Sequence, residues 1–249
     1  MRFFPRVARA ALSAALIAPA ILGAQALPDA KSLMAKHNAA IGGRAALDKY
    51  STVHLTAIAT IAAMGMDASM ELYRSKPNKL VQKVVLGPVG EILTGFDGTV
   101  GWSTNPMQGA QLLTGEALAS LKNQADFFAN LQDPAVYTTA QTVDLTDFEG
   151  KKCYKVKVAR EGRDGFEYFD LTTGLLAGFT GTLSTPQGPI ESTTVFVEYG
   201  EWGGLKLPKK IEQRGGPAGT VITFSAVEFD KVDSAIFDLP AAVKALIKP

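Results

Sequence analysis

Residues that carry out chemistry are scarce in this chain, which has a single cysteine, Cys153, and two histidines, His37 and His54. One cysteine excludes an intramolecular disulfide, so stability must come from an ordinary core. The sequence has no HxxxH, CxxC or HExxH spacing, and Cys153 has no histidine near it in sequence. Neither a metal site nor a cysteine–histidine pair can be recognised. A surplus of one charge is missing too: 25 Lys and Arg stand against 24 Asp and Glu. With the basic residues spread along the chain, nothing suggests a nucleic-acid partner.

Long hydrophobic runs are also lacking after the first. Arg2, Arg6 and Arg9 precede an apolar stretch from Ala10 to Leu22, and Ala24-Gln25-Ala26 has the small-x-small form of a cleavage site. The stretch falls short of the roughly 20 apolar residues of a membrane span. Residues 1–26 therefore read as a signal peptide cleaved near Ala26, and the protein as periplasmic. Leu22-Gly23-Ala24-Gln25 contains no cysteine, so the chain itself is not expected to be lipid-anchored. Residues 27–249 are expected to form a single β domain, with no linker or internal repeat.

What the chain does have is alternation. Val53, Leu55, Ala57, Ala59 and Ile61 alternate with Thr52, His54, Thr56, Ile58 and Thr60, the period of a strand with one apolar face. Met70 and Leu72 continue the pattern after a turn at Gly65. Strands are predicted over 80–86, 91–96 and 99–103, the last pair joined through Asp97-Gly98 as a two-residue hairpin. Further strands are expected at 143–148, 153–159, 166–171, 175–184, 190–199, 205–214 and 220–230. Pro208 marks the sixth of these as an edge strand or the site of a bulge. Helical spacing is confined to Pro28–Tyr50, broken at Gly42-Gly43, to Gly115–Leu131, and to a last turn or two after Ala241. The fold class is mainly β with helical inserts, a strongly curled or partly closed antiparallel sheet.

Candidate catalytic groups dissolve on inspection. Asp144, Asp147 and Glu149 flank a strand end, where solvated carboxylates are normal. Gly42-Gly43-Arg44 follows no strand and lacks the GK[ST] of a phosphate loop. The chain reads as a non-enzyme with no cofactor. The apolar residues either pack on one another or line a ligand cavity, and the pattern alone leaves both open.

Several segments, taken in order, resemble the LolA/LolB-type lipoprotein-carrier superfamily and its outer-membrane lipoprotein-sorting relatives. They are HNAAIGGRAALDKY, ELYRSKPNKL, GFDGTVGWSTNP, LTGEAL, GKKCYKVKV, EYFDLTTGLLAG, YGEWGGLKLPKKI and DSAIFDLP. The resemblance implies an incomplete, half-pipe antiparallel β-barrel whose open face is covered by helices over an apolar cavity. It implies a periplasmic carrier or chaperone for lipoprotein acyl chains or another hydrophobic ligand. The alternative is a non-catalytic cell-envelope interaction module with a packed β core. Expected partners are lipid or lipoprotein acyl chains and envelope proteins, with the chain itself a monomer. No cargo-binding residue carries over by motif. The strand phase instead nominates Val53, Leu55, Ile61, Met70, Leu72 and Trp102 as facing the cavity. Helical spacing nominates Leu118, Leu121, Phe127 and Phe128 as the inner side of the lid.

Overall fold

A computed structural model describes residues 26–160, 163–185, 188–215 and 219–247, so the expected signal peptide lies outside the described residues up to Gln25. Helix α1 (Ala30–Ala40) starts at Asp29, whose side chain accepts a hydrogen bond from the Lys31 N–H. It stops at Gly42, which has φ +106° and lies so close to Gly204 that a Cβ would stand 2.6 Å from its carbonyl oxygen. Only glycine fits there, and the short α2 (Gly43–Leu47) follows.

Six strands then run as a meander: β1 (Thr52–Ile61), β2 (Met66–Ser75), β3 (Lys79–Leu86), β4 (Gly90–Phe96), β5 (Gly101–Asn105) and β6 (Gly109–Leu112). After α3 (Gly115–Ala125) come β7 (Thr139–Phe148), β8 (Lys151–Arg160), β9 (Arg163–Asp170) and β10 (Leu176–Thr185). The series ends with β11 (Gly188–Trp202), β12 (Leu205–Arg214), β13 (Thr220–Phe229) and a short α4 (Ala241–Lys244). All thirteen join one antiparallel sheet in the order β6-β5-β4-β3-β2-β1-β13-β12-β11-β10-β9-β8-β7, which is not closed. This is the antiparallel sheet that the strand rhythm predicts, in the half-barrel form that the resemblance implies.

The strand order dictates the rest of the architecture. The chain begins at the middle of the sheet and walks outward to the β6 edge. It must then reach β7 at the opposite edge before walking back to pair β13 with β1. The connection over 113–138 therefore traverses the whole sheet on one face. α3 packs over Leu80 and Phe96, Phe127 packs over Val53 and Leu55, and Tyr137 packs against the cluster of Val156 and Phe169. α1 covers the remainder of that inner face through Ala30, Leu33 and Met34.

Three local expectations are corrected, and of the two readings of Pro208 the bulge holds. The helix predicted over 115–131 ends at Ala125, because Asp126 turns extended and its carboxylate accepts the Phe128 N–H at 2.9 Å. The Asp97-Gly98 connection is longer than two residues, with the Asp97 carboxylate accepting from both Thr99 and Val100 N–H groups. β6 was not anticipated, and β7 begins four residues earlier than predicted. Pro208 sits on an internal strand, opposite Tyr199 beside a β-bulge. The edge alternative fails for β12 as a whole, yet β13 pairs only with Lys210–Gln213, so the proline's missing N–H falls where that flank is free.

The outer face is also partly covered. Val81 and Trp102 pack against Phe237 and Val243, with Val232 and Leu239 alongside. A second outer cluster stacks Phe148 on Tyr168 at 3.9 Å around the buried Cys153.

Candidate functional site

The inner face of the first half of the sheet is an apolar floor. β1 contributes Val53, Leu55 and Ala57, β2 contributes Met70 and Leu72, and β3 and β4 contribute Leu80 and Phe96. Strand pairing explains the match: Leu55 faces Leu72, Ala57 faces Met70, and Leu80 faces Phe96 across the ladders. Leu118 and Leu121 of α3 lie on this floor with Phe127, Phe128 and Leu131 of the crossing segment. Eight of the ten nominated residues therefore meet at one interface. Ile61 stands half-buried at the far end of β1.

Trp102 is a correction. It lies on the outer face, packed over Gly95, where a Cβ would stand 2.4 Å from the ring, and under Phe237. Its neighbour Gly101 is the residue that faces Leu118 and Leu121. A large aromatic can be buried on that side because the C-terminal segment covers it.

Two different sets of forces hold the cover. Its α3-proximal part is gripped by cations and rings. The Arg44 guanidinium sits 4.0 Å from the Phe128 ring centre, and Lys76 Nζ lies 5.3 Å and 5.4 Å from the Phe127 and Phe128 rings. Lys76 also donates to the Asp48 carbonyl at 2.9 Å, and the Phe127 N–H donates to the Pro77 carbonyl at 3.1 Å.

The other part is fixed by half-buried hydrogen bonds around the buried His37. His37 Nδ1 accepts the Leu176 N–H at 3.0 Å, which leaves Nε2 to donate to the Asn130 carbonyl at 3.2 Å. Burial lowers the His37 pKa to about 4, partly opposed by that bond to Asn130, so the ring is neutral. Asn38 and Gln132 exchange two bonds, 2.8 Å and 2.7 Å, in the manner of a strand pair. Tyr137 donates to Gln132 and lies within reach of the Glu167 carboxylate at 3.2 Å. Sequence reading placed His37 on its helix but missed this network, because no short-range pattern links residue 37 to 130 and 176.

Between the network and β11–β12 lies a cavity of about 60 Å³ lined by His37, Asn130, Gln132, Tyr199 and Lys206 among others. Its size and polar lining suit a few waters. Burial, its largest cause, pushes the Cys153 thiol up to about 11, so a thiolate nucleophile is absent near neutral pH. No cluster of three or more His, Cys, Asp or Glu side chains suited to a metal occurs among the described residues. No helix among them is long and apolar enough to cross a membrane.

The sequence matches no protein-family model and no curated protein. Solved structures share the fold. A DUF1329 family protein from Desulfovibrio piger superposes with a TM-score of 0.58 at 13% identity, over 86% of this chain and 98% of that one. A putative outer membrane lipoprotein-sorting protein domain from Vibrio parahaemolyticus gives 0.55 at 10% identity, over 84% and 97%. A LolA superfamily protein from Nitrosomonas europaea gives 0.53 at 11% identity, over 86% and 99%. The chain thus has the LolA-type half-barrel fold.

Proposed function

We propose that the protein is a periplasmic, non-catalytic carrier that shelters acyl chains of a lipoprotein or another hydrophobic ligand between the sheet floor and its cover. The observation that carries this reading is the unequal attachment of the cover. Over the apolar floor it is held by apolar contact, rings and surface-proximal cations, whereas its other end is pinned by several half-buried hydrogen bonds. Lifting the α3 side exposes Leu55, Leu72, Leu80 and Phe96 without breaking the His37 network. Each acyl CH₂ taken from water onto that floor contributes about 0.8 kcal/mol, so a carrier needs area and shape rather than reactive groups. The fold shared with lipoprotein-sorting and LolA superfamily proteins supports the same reading. Export of residues 27–249 as one monomeric domain, after removal of residues 1–26, belongs to this proposal.

The test is displacement of an environment-sensitive fatty-acyl probe from the purified protein. Saturable binding that lipids compete, and that Leu72→Gln weakens in a folded variant, is the expected result. A folded protein that binds no probe refutes it. One observation favours the second reading, an envelope interaction module: the cover packs directly on the floor, Leu121 with Leu80 and Phe96 and Phe127 with Val53 and Leu55. That module predicts no probe binding and a stable co-purifying protein.

A further inference from the structure

The alternation of β2 carries a charge into the apolar floor. Arg74 follows Met70 and Leu72 in phase, and its ladder partners are Val53 on β1 and Leu80 on β3. Both partners are buried in the clusters beneath the cover. The Arg74 Nε is buried and has no hydrogen-bond partner. No ion pair within 4 Å involves Arg74 among the described residues. The opposing charge that acts on it is Asp126, at the end of α3, whose carboxylate already accepts the Phe128 N–H. Burial brings the guanidinium down to about 10, the mark of a cation that its surroundings under-compensate.

An arginine is a costly way to fill such a place if packing were its only duty. A buried charge is tolerated when paired, and an apolar side chain of similar volume usually serves stability as well or better. Guanidinium is also the side chain best shaped to hold carboxylate or phosphate through paired N–H donors. The residue as a whole retains partial exposure while its guanidinium is buried, so a ligand reaches the charged group once the cover lifts. Above it lies Asp126 at the hinge where α3 gives way to the crossing segment, on the part of the cover held by rings rather than by the hydrogen bonds around His37.

From this we infer that Arg74 is an anchor for the anionic group of an amphiphilic cargo, whose acyl chain lies along the floor of Leu55, Leu72, Leu80 and Phe96. The inference rests on the carrier reading and narrows its ligand to acidic amphiphiles, carboxylate- or phosphate-headed. Lifting the α3 side moves Asp126 away from Arg74, and the ligand's anion takes its place. Cover opening and charge exchange become one event.

The test is calorimetric titration of the purified protein with dodecanoate, with dodecanol as the neutral chain of equal length, and with acetate and inorganic phosphate as chainless anions. The wild type is expected to prefer dodecanoate over dodecanol by about tenfold or more, the usual worth of a hydrogen bond to a charged group. In Arg74→Met that ratio falls toward one, and Arg74→Lys keeps part of it. Asp126→Asn, which retains the oxygen that accepts the Phe128 N–H, tightens dodecanoate binding by removing the competing charge. Equal binding of dodecanoate and dodecanol by the wild type overturns the anchor and leaves the carrier reading standing. Binding of neither removes the carrier reading and the anchor with it. Acetate or phosphate bound as tightly as dodecanoate identifies a free-anion site and overturns the amphiphile assignment. Melting temperature gives an independent readout, with Arg74→Met expected at or above the wild type. A large fall on Arg74→Met, with no tightening in Asp126→Asn, assigns Arg74 a structural pairing with Asp126 and overturns the proposal.

Discussion

Replacing Lys76 by methionine should loosen the α3 side of the cover and raise apparent affinity for an acyl probe. Lys76 Nζ has four partners: the Asp48 carbonyl at 2.9 Å, the Asp48 carboxylate at 3.5 Å and the rings of Phe127 and Phe128. With the side chain 28% exposed, each ring contact at more than 5 Å is worth no more than about 0.5 kcal/mol. The hydrogen bond and the 3.5 Å ion pair with Asp48 tie Lys76 to the end of α2 rather than to the cover, so they do not enter the opening. Methionine keeps the apolar stem, so the loss is confined to charge over the two rings, about 1 kcal/mol at most. That corresponds to up to about a 5-fold rise in the open population. Where only the open form binds, apparent affinity rises by the same factor until the open form predominates. The assay pairs probe titration with amide hydrogen exchange, and the Phe127 N–H is the reporter because it bonds to the Pro77 carbonyl next to residue 76. Its exchange should speed up, while the Gln132 N–H, bonded to Asn38, should keep its protection. Equal acceleration at both amides would show that the cover moves as one piece. Unchanged exchange at Phe127 together with weaker probe binding would refute the reasoning outright.

The remaining predictions concern the pinned half, the outer face and the helix elbow. His37 has its pKa lowered from 6.5 to about 4 by burial, so the unfolded chain binds more protons between those values. Its contribution to stability is complete above pH 6.5 and is lost as pH falls toward 4, about 3 kcal/mol across the window. Urea midpoints measured through that range should therefore slope upward with pH, and His37→Gln should flatten the slope. Trp102→Ala should cost about 3–5 kcal/mol of stability, the usual penalty for an emptied aromatic site. Probe affinity in the still-folded variant should match the wild type, because Trp102 lies on the outer face; a matching loss of affinity would contradict that placement. Gly42→Ala should lower the urea midpoint by more than about 1 kcal/mol, since the new Cβ meets the Gly204 carbonyl and a positive φ disfavours it.

Much of the floor was legible because each strand of it is locally consistent. In β1 the buried residues Val53, Leu55, Ala57 and Ala59 are the apolar phase of the written sequence, and β2 repeats this through Met70 and Leu72. β6 escaped notice since Gly109-Ala110-Gln111-Leu112 is too short and polar to show alternation, and it exists by pairing with β5. Phe127 and Phe128 suited a helix by spacing, but the Asp126 side chain satisfies the Phe128 N–H and releases the chain into an extended crossing. Trp102 was assigned inward on the assumption that one face of the sheet is buried. Here one end of β3–β5 is buried on both faces, at Leu80–Val81, Gly95–Phe96 and Gly101–Trp102, and the covering residues Phe237 and Val243 lie more than a hundred positions downstream. Arg74 was within reach of the same alternation, as a charge in the apolar phase of β2, and passed unremarked because the phase was read only for hydrophobic residues.

Topology accounts for why a cover exists at all. An antiparallel meander that starts in mid-sheet and must end beside its own first strand has to carry the chain once from edge to edge. That passage runs over the inner face, since α3, Phe127 and Tyr137 meet successive parts of it in chain order. A crossing segment has no ladder to satisfy its backbone, so it must find side-chain and capping partners instead. On the β8–β12 side those partners are the buried His37, which bonds Asn130, and the half-buried Asn38 and Tyr137, which both bond Gln132. Over β1–β4 the backbone gains one carbonyl among the described residues, that of Pro77, and the attachment is otherwise mainly apolar contact, exposed charge and the pull of Arg74 on Asp126. Apolar contact with the floor is the one attachment an acyl chain can replace like for like, whereas the hydrogen bonds around His37 have no equivalent in a lipid tail. The same strand order that closes the half-barrel therefore also sets which end of its cover a hydrophobic ligand can displace.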